Sequence, residues 1–454
     1  MYAEKLLIYL IAKTIFMPDT LQPPNSSWTL LQKMLFRFFF IYFILYTSPW
    51  DSLAIIPGIN YLAGLYNQGF EWAVIKTNEN FFQVFNIKHV KQVFNGSGDT
   101  SFAWAANYLM LVVAGIGAVI WSLPDRKRKS YRQLNYLLCL FTRYSLALIA
   151  FGYGINKIFA LQMPFPMLSQ LATPLGDLLP MRFSWLFIGY SAPYEIFTGV
   201  MEVLVAVLLL YRRTATMGAL IATAVFTNVM MLNLCYDIPV KLYSINLVLL
   251  CLYLLANEYR RIACFFVLNK PAATCSVYDY PLTKKWMRIT RIIIKLAVVF
   301  LLVKSFYETL QYAREYKATK AHKDFKPGVY DVTRYVVNKD TLPALTTDTI
   351  RWKDVIIENN QMGSINTSDT IFRRRYGRGY FIFSVDTLQP IINFKKTMQD
   401  EGSVLSLHYQ RPDSNTIQLW GKQRNDSIFI ELKRSARHFQ LAEKQFHWLS
   451  EANR

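Results

Sequence analysis

Three sequences between Phe151 and Asn257 decide the fold of this chain: FGYGINKIFALQMPFP at 151–166, YEIFTGVMEVLVAVLLLYRRT at 194–214 and NVMMLNLCYDIPVKLYSINLVLLCLYLLAN at 228–257. Their apolar runs have the length of membrane-spanning helices. Charged residues nevertheless stand inside or beside these runs. Because a charge at membrane depth is costly, such residues usually face a bundle interior or a polar cavity and mark a functional site. The residues concerned are Lys157, Glu195, Glu202, Asp237 and Lys241.

The composition supports a membrane protein, because 53% of the residues are hydrophobic and 15% are aromatic. Long apolar runs fill residues 1–322, whereas residues 323–454 alternate polar and apolar positions. The sequence therefore predicts an α-helical membrane bundle of about seven transmembrane helices, followed by a small all-β barrel or sandwich. The predicted spans are Leu30–Thr47, Phe102–Trp121, Tyr136–Phe159, Pro193–Tyr211, Thr214–Tyr236, Val240–Asn257 and, more weakly, Ile289–Phe306.

Four regions follow from this pattern. Residues 1–135 form an N-terminal membrane region with an extracytoplasmic loop at 71–102, and residues 136–257 form a four-helix core. Residues 258–322 hold a cytoplasmic loop and the last span, and residues 323–454 form an extracytoplasmic β-rich domain. Two N-terminal segments differ from a regular span. Leu6–Phe16 is expected to lie in the membrane interface, and Ser52–Phe70 is either a re-entrant or interfacial segment or a further span.

The formal charge of +20 at pH 7 reflects short basic loops at the ends of the spans. Five basic residues stand between Pro124 and Arg132, and Arg212–Arg213 and Arg260–Arg261 follow later spans. Since such loops face the cytoplasm, the N-terminus is expected inside and the β domain outside. This distribution favours a lipid bilayer as partner and argues against nucleic acid.

The β-rich domain is predicted from seven short runs separated by Asn, Asp, Gly and Ser turns. Trp352, Trp420 and Trp448 are expected in its core, although a barrel interior can also hold a small apolar ligand. The basic run from Arg373 to Arg378 suits a solvated hairpin or a contact for acidic lipid headgroups. The strand runs are 329–337, 350–357, 380–385, 391–394, 404–409, 417–420 and 428–432.

The first candidate pocket follows from helical spacing within residues 136–159. Steps of seven return to almost the same side of a helix, and they place Arg143 and Lys157 on one stripe with small residues between them. Glu195 and Glu202 are also seven apart. An interior ion-paired network between these two cations and two acids is one interpretation. The alternative is that Lys157 and Glu195 anchor the helix ends by extending to the interface.

The second candidate lies around a short turn between two spans and comprises Asn228, Asn233, Asp237 and Lys241. Asp237 and Lys241 are four residues apart and are expected to pair, while Asn228 and Asn233 are expected to form hydrogen bonds between helices. The plainer interpretation is a turn that needs polar residues at the water surface.

Several cofactor sites lack their usual residues. None of the five histidines falls within a predicted span, which argues against haem held by two histidines. The five cysteines form no C-x-x-C pair, so neither a thiol relay nor a disulfide framework is expected. No metal site is expected. No cofactor is evident from these residues, although a quinone remains compatible with them.

The sequence resembles the DoxX-like integral membrane proteins. The resemblance rests on GYGINKI at 152–158, RRT at 212–214 and the pattern N-x-x-Y-D-I-P-V-K-L at 233–242, and it covers roughly residues 136–257. The longer arrangement, with extra N-terminal spans and a β-rich tail ending near FHW at 446–448, resembles proteins of Bacteroidetes-type bacteria. A broader similarity runs to the membrane region of vitamin K-dependent carboxylase-like proteins. The resemblance implies a bacterial inner membrane with a periplasmic tail and, for some relatives, partnership with redox enzymes; it assigns no catalytic residue.

Two functions are compatible with these features. In the first, the chain is a quinone-linked or redox-partner membrane subunit whose polar pocket exchanges a proton. If it is an enzyme component, it is then part of a quinone-linked oxidoreductase. In the second, the chain is a non-enzymatic, membrane-anchored binding or envelope-maintenance protein whose β domain recognises a ligand or a periplasmic partner.

Overall fold

A computed structural model describes residues 27–50, 58–272, 285–318, 322–345, 350–400, 402–443, 447–449 and 451. The predicted interfacial helix Leu6–Phe16 lies outside these residues. The chain divides into two compact units. The bundle unit comprises Met1–Gln162 and Pro193–Thr309, and the barrel unit comprises Met163–Ala192 and Leu310–Arg454. The segment Met163–Ala192, which the sequence places inside the 136–257 core, thus groups with the barrel.

Most of the described chain up to Ala318 is helical. Short π and 3₁₀ turns occur at Asn78–Phe82, Val84–Asn86 and Leu175–Asp177. In chain order the helices are α1 (Leu30–Thr47), α2 (Ile59–Thr77), α3 (Ser101–Ser122), α4 (Arg132–Ile158), α5 (Leu168–Leu171), α6 (Pro180–Tyr190), α7 (Ala192–Leu210), α8 (Ala215–Cys235), α9 (Lys241–Ala256), α10 (Tyr259–Phe266), α11 (Lys285–Ala318) and α12 (Gln440–Glu443).

The predicted bundle of long apolar helices is confirmed. Among the described residues, five helices are long and apolar enough to cross a membrane, namely α1, α3, α4, α7 and α8. A sixth span results if α9 and α10, which meet at a bend of 77°, are counted together. The seventh predicted span, Ile289–Phe306, lies in the helix α11, which is not among them. Its apolar run is interrupted by Lys295 and Lys304.

Local signals explain where several helices begin. Thr29 and Gln32 form a reciprocal capping box at the start of α1, and the Thr100 hydroxyl accepts a hydrogen bond from the Ala103 amide at the start of α3. Pro180 occupies the first turn of α6, where its missing N–H costs nothing.

The basic loops lie together at one end of the bundle. The Trp28 amide donates to the Lys129 carbonyl, Asn135 bonds to Asn257 at 2.7 Å, and Arg261 bonds to Thr216 at 3.2 Å. These contacts join the loops that carry the basic residues. We call this end, formed by residues 124–135, 211–216 and 257–261, the basic end.

Part of the predicted 71–102 loop is helical. Helix α2 continues to Thr77, and apolar residues of the following turns pack on the first half of α3. Asn78 is buried because its side-chain amide donates to the carbonyls of Ile87 and Lys88. The polar composition had suggested an irregular loop, but its aromatic and valine residues form a small core of their own.

The barrel unit contains a closed antiparallel barrel of eight strands. The chain passes through β1, β3, β4, β6, β7, β8, β9 and β10 in order, and β10 pairs with β1 to close it. The strands are β1 (Gly328–Val337), β2 (Asp340–Thr341), β3 (Asp354–Ile357), β4 (Met362–Ile365), β5 (Arg373–Arg375), β6 (Arg378–Asp386), β7 (Ile391–Lys395), β8 (Leu405–Gln410), β9 (Thr416–Gln423) and β10 (Asp426–Arg434).

Alternating side chains fill the interior of this barrel. Leu405, Leu407 and Tyr409 are buried on β8 while the residues between them are exposed. Trp352 is fully buried, as predicted, and it packs edge-on against Phe372 and Phe394. The other two tryptophan predictions are wrong. Trp420 lies on the outer face of β9, stacked on His408, and Trp448 is 95% exposed.

Candidate functional site

The four-helix core contains one very close helix crossing, between α4 and α7. A Cβ atom on Gly154 would lie 2.8 Å from the Gly199 carbonyl oxygen, and one on Gly199 would lie 2.6 Å from the Gly154 carbonyl oxygen. Only glycine tolerates this approach at both positions. The remaining small residues of the predicted stripe, Ala147 and Ala150, are fully buried. Close packing of this helix face is therefore confirmed.

One turn beyond each glycine the two helices present opposite charges. The Lys157 ammonium forms an ion pair and hydrogen bond with Oε1 of Glu202, and the two side chains are only 9% and 3% exposed. The Glu202 Oε2 atom is buried and has no hydrogen-bond partner within the described part of the chain. The pair thus places a lysine and a carboxylate inside the bundle, with one carboxylate oxygen still able to accept a hydrogen bond.

The sequence predicted a network in which both Arg143 and Lys157 pair with the acids of α7, but only Lys157 reaches the Glu202 carboxylate. Arg143 is buried on the same face of α4, but it stands fourteen residues before Lys157, about 21 Å along the helix axis. This separation is too large for both cations to contact Glu202. The Arg143 guanidinium lies over the Tyr144 ring at 5.1 Å. Helical spacing correctly predicted that Arg143 and Lys157 lie on the same buried face of α4. The two cations are nevertheless far apart because they occupy different positions along the helix axis.

Glu195 is also buried, with 1% of its surface exposed, in the first turn of α7. It stands seven residues before Glu202, about 10 Å along the axis. The interpretation that Lys157 and Glu195 extend to the interface is wrong, because neither side chain reaches the surface of the protein.

The second candidate cluster forms at the turn between α8 and α9. The Lys241 ammonium lies 2.7 Å from the Asp237 carboxylate, as predicted, and Asp237 itself is exposed in a left-handed backbone conformation. The buried Asn233 side chain is directed to the Val240 carbonyl at 3.4 Å. It therefore closes the turn locally.

Asp99 completes this turn, although the sequence reasoning missed it. Its two carboxylate oxygens accept hydrogen bonds from the Lys241 and Leu242 amides at 2.8 and 2.9 Å, and Lys241 Nζ lies 3.6 Å away. The Gly98 amide donates to the Pro239 carbonyl. Asp99 thus caps the first turn of α9 from a distant loop. The sequence feature that could have predicted this role is the single acidic residue in the turn-rich sequence NGSGDTS at 95–101.

Asn228 does not belong to this cluster. Its side chain is exposed on α8, and no hydrogen bond to another described residue holds it. The prediction that it bonds between helices is wrong, because its position on the helix directs it away from the bundle.

A further polar contact inside the bundle was also missed. The Tyr42 hydroxyl of α1 lies 2.8 Å from Oδ1 of Asn107 on α3 and 2.6 Å from Oδ1 of Asn246 on α9. The amide of Asn246 donates to the Leu242 carbonyl, which fixes its orientation. Neutral polar groups thus join the three helices α1, α3 and α9. In the sequence, the feature that could have predicted this contact is a single asparagine in the apolar run of α3 and another in that of α9.

Arg37 of α1 is almost fully buried at the basic end. It donates to the Tyr131 hydroxyl at 2.8 Å and to Ser122, and the Tyr131 hydroxyl in turn bonds to Asp125 at 2.5 Å. Burial raises the pKa of Tyr131, and the hydrogen bond to the Asp125 carboxylate acts in the same direction, while Arg37 lowers it. The site organises the 124–132 loop.

In the barrel unit, buried charges attach strands and the 163–192 segment to one another. Arg378 is buried and paired with Asp354, whereas the sequence suggested a solvated residue. The buried Glu358 accepts hydrogen bonds from the Ser169 amide and hydroxyl, at 2.8 and 2.7 Å, and from the Leu168 amide. This carboxylate therefore holds α5 on the barrel.

Among the described residues, no group of three or more His, Cys, Asp or Glu side chains is placed to hold a metal ion. Among the described residues, Cys139, Cys235, Cys251 and Cys264 form no disulfide, and Cys275 lies outside the described ranges. The ionisable side chains buried in the described part of the bundle include Lys157 and Glu202, whose Oε2 atom has no hydrogen-bond partner there.

Comparison with known proteins relates one part of the chain to a bacterial protein. The chain is 37% identical over 119 residues to the uncharacterized protein YwoB of Bacillus subtilis (strain 168), an alignment that covers 26% of this chain and 75% of YwoB. No protein-family model matches the chain, and no solved structure matches it. With three quarters of the relative aligned, the chain belongs to the family that includes YwoB.

Proposed function

We propose that this chain is a multi-pass protein of the bacterial cytoplasmic membrane, of DoxX-like type, whose bundle acts as a quinone-linked subunit beside a redox partner. The observation that carries the proposal is the Lys157–Glu202 pair. An ion pair buried between two apolar helices is expensive to maintain, and intramembrane ionisable groups mark pathways for protons, ions or substrates. The unsatisfied second oxygen of Glu202 gives the pair a free acceptor.

A quinone accepts two electrons and two protons on reduction, with the electrons supplied here by the redox partner. The chain's own contribution is to hold and release one of these two protons at Glu202 Oε2, and the second proton is taken up from water. Lys157 stabilises the carboxylate after the proton leaves, since an opposite charge in contact favours the ionised form. The Gly154–Gly199 crossing fixes both side chains, because it sets the distance between their helices.

The membrane and its orientation belong to the same proposal. The basic end faces the cytoplasm by the positive-inside rule. Helix α4 runs from the basic end towards the opposite end, and the segment that follows it packs on the barrel through Glu358. This supports a barrel on the periplasmic side, joined to the segment between α4 and α7.

Quinone binding by the purified full-length protein tests the redox proposal. We expect a reduced ubiquinol or menaquinol analogue, whose O–H can donate to the Glu202 carboxylate, to bind the wild type and Asn228→Ala equally, because Asn228 is exposed and forms no hydrogen bond with either member of the pair. Glu202→Gln should bind this quinol about tenfold more weakly, because a hydrogen bond to a charged acceptor is lost. No binding by the wild type, or equal binding by Glu202→Gln with an unchanged unfolding temperature, would refute it.

A second candidate is a non-enzymatic protein whose barrel recognises a periplasmic partner. The observation that favours it is that the barrel has a packed aromatic core of its own, so recognition would use its outer surface. In a strain lacking the native gene, a chain with Glu202→Gln and Lys157→Met that folds and restores the wild-type phenotype would support this candidate over the redox function.

A further inference from the structure

Helix α6, in the segment between α4 and α7, has one apolar face with a large exposed area. Leu179, Phe183 and Phe187 recur at intervals of four, and they are 62%, 43% and 71% exposed. Their spacing places them on one side of the helix. Leu175, just before the helix, is 69% exposed. A stripe of this kind is unusual for a surface in contact with water.

The opposite side of α6 is fixed to its own segment. Ser184, Ile188 and Gly189 are buried, and a Cβ atom on Gly189 would lie only 2.5 Å from the Met163 carbonyl oxygen and 2.7 Å from that of Pro164. The orientation of the helix is therefore set by backbone contact, and the apolar stripe has to point outwards.

Arginines adjoin this helix. Arg182 donates to the Tyr376 hydroxyl at 3.2 Å and lies over its ring, so α6 is attached to the turn of the β5–β6 hairpin. That hairpin carries Arg373–Arg375, all three exposed, and none of them forms an ion pair with a described residue. The basic strand β5 and the helix α6 thus adjoin each other in the barrel unit through Arg182 and Tyr376.

The chain itself indicates what covers this surface. Helix α6 ends at Tyr190, and the membrane helix α7 begins at Ala192, so the apolar stripe leads directly into a membrane span. Helices with an apolar face and adjacent basic residues lie in the membrane interface. Arginine guanidinium groups match the geometry of phosphate oxygens and form paired hydrogen bonds with them.

We propose that Leu175, Leu179, Phe183 and Phe187 insert into the lipid interface and that Arg373–Arg375 bind the phosphates of anionic phospholipid headgroups. The barrel unit would then be held against the bilayer by a lipid-binding surface in addition to its covalent links. The proposal is independent of the Lys157–Glu202 pair, so a failed quinone assay leaves it standing.

Photocrosslinking tests the apolar part. The full-length protein is prepared in vesicles containing phosphatidylglycerol, with p-benzoylphenylalanine in place of Phe187 or, as control, of Leu388. Leu388 is 93% exposed in the β6–β7 turn, at the far end of β6 from Tyr376 and about 30 Å away along the strand. We expect lipid adducts at position 187 and none at position 388. Adducts at 187 exclusively to protein, from a second copy or another chain, would overturn the proposal.

The arginines are tested by lipid selectivity. The triple variant Arg373→Gln/Arg374→Gln/Arg375→Gln should retain at least fivefold less phosphatidylglycerol than wild type after purification from vesicles with equal phosphatidylglycerol and phosphatidylcholine. The matched control, Lys339→Gln/Lys422→Gln/Lys433→Gln, removes the same charge from other exposed barrel positions and should retain the wild-type amount. Equal loss in both variants would indicate a general charge effect and refute the site. Competition by free inorganic phosphate without lipid retention would identify a soluble anion site, which also refutes it.

Discussion

Gly154 and Gly199 face each other so closely that a Cβ atom on either one would meet the carbonyl oxygen of the other at less than 3 Å. The contact joins α4 to α7 one turn before Lys157 and Glu202 on their respective helices. Small residues are the usual means of bringing membrane helices together. Here they also set the distance across which the buried charges pair.

Replacing Gly199 by alanine should destabilise the protein by about 1–3 kcal/mol, because the new methyl group meets backbone atoms that cannot move independently. The measurement is thermal unfolding of the detergent-solubilised protein. Gly152→Ala is the matched control, since a Cβ atom there meets nothing within 4 Å and alanine favours the helix. Equal destabilisation by both substitutions would show that the crossing is not the cause.

Removing one member of the buried ion pair should cost more than removing both. Lys157→Met leaves the Glu202 carboxylate without its cation, and the expected loss is about 3–5 kcal/mol. The double variant Lys157→Met/Glu202→Leu should recover most of it. Unfolding of the two single variants and the double variant in the same detergent gives the coupling energy. Additive losses would mean that the two side chains do not interact.

The ion pair illustrates what the sequence reveals and what it leaves out. Seven-residue spacing and small intervening residues gave the buried face of α4, and Lys157 and Glu202 were both among the predicted residues. Periodicity carries no information on which cation meets which acid, so Arg143 was placed in the same network. Asn107 and Asn246 were missed because a neutral amide hardly changes the apolar character of a span.

In the barrel, too, the sequence predicted some features and missed others. Seven predicted strand runs coincide with observed strands, because alternation is strong wherever one face is buried. Strand β4 was missed, since Gly363 and Ser364 weaken its pattern. Gly363 is required there, because a Cβ atom would lie 2.4 Å from the Ile356 carbonyl oxygen. Trp420 was wrongly predicted in the core because it is a large aromatic residue. Its neighbour Leu419 is buried, so the alternation of β9 places Trp420 on the outer face.

Asp99 and Asp237 contact the same lysine but should differ in importance. Asp99→Ala removes the carboxylate that caps the first turn of α9, and a loss of about 1 kcal/mol is expected. Asp237 is exposed and contributes a surface pair to Lys241, so Asp237→Ala should cost less than about 0.5 kcal/mol. The two variants are compared by unfolding in one detergent. A larger loss for Asp237 would contradict the assigned roles.

Asp413, outside the membrane helices, should make the β8–β9 turn sensitive to acid. Its carboxylate accepts hydrogen bonds from the Asn415 and Thr416 amides, which lower its pKa in the folded protein below the ordinary value of 3.8. A lowered folded pKa adds stability above that value, and the contribution is lost as the pH falls through the folded pKa. Amide exchange at Asn415, corrected for intrinsic rates, should accelerate below about pH 4 in wild type. In Asp413→Asn it should show no such transition.

Glu358 should determine whether the 163–192 segment stays on the barrel. Its carboxylate receives three hydrogen bonds from Leu168 and Ser169, so Glu358→Ala leaves buried donors unsatisfied, at a cost of about 1–3 kcal/mol. The loss should be local, because the barrel core makes its own contacts. Hydrogen exchange of the full-length protein should show lost protection at residues 168–173 and unchanged protection in β8–β10. Ser169→Ala, which removes the hydroxyl and keeps both amides, should give a smaller effect at the same positions. Loss of protection throughout the barrel would instead make Glu358 a residue of the barrel fold, and unchanged exchange at 168–173 would show that other contacts hold the segment in place.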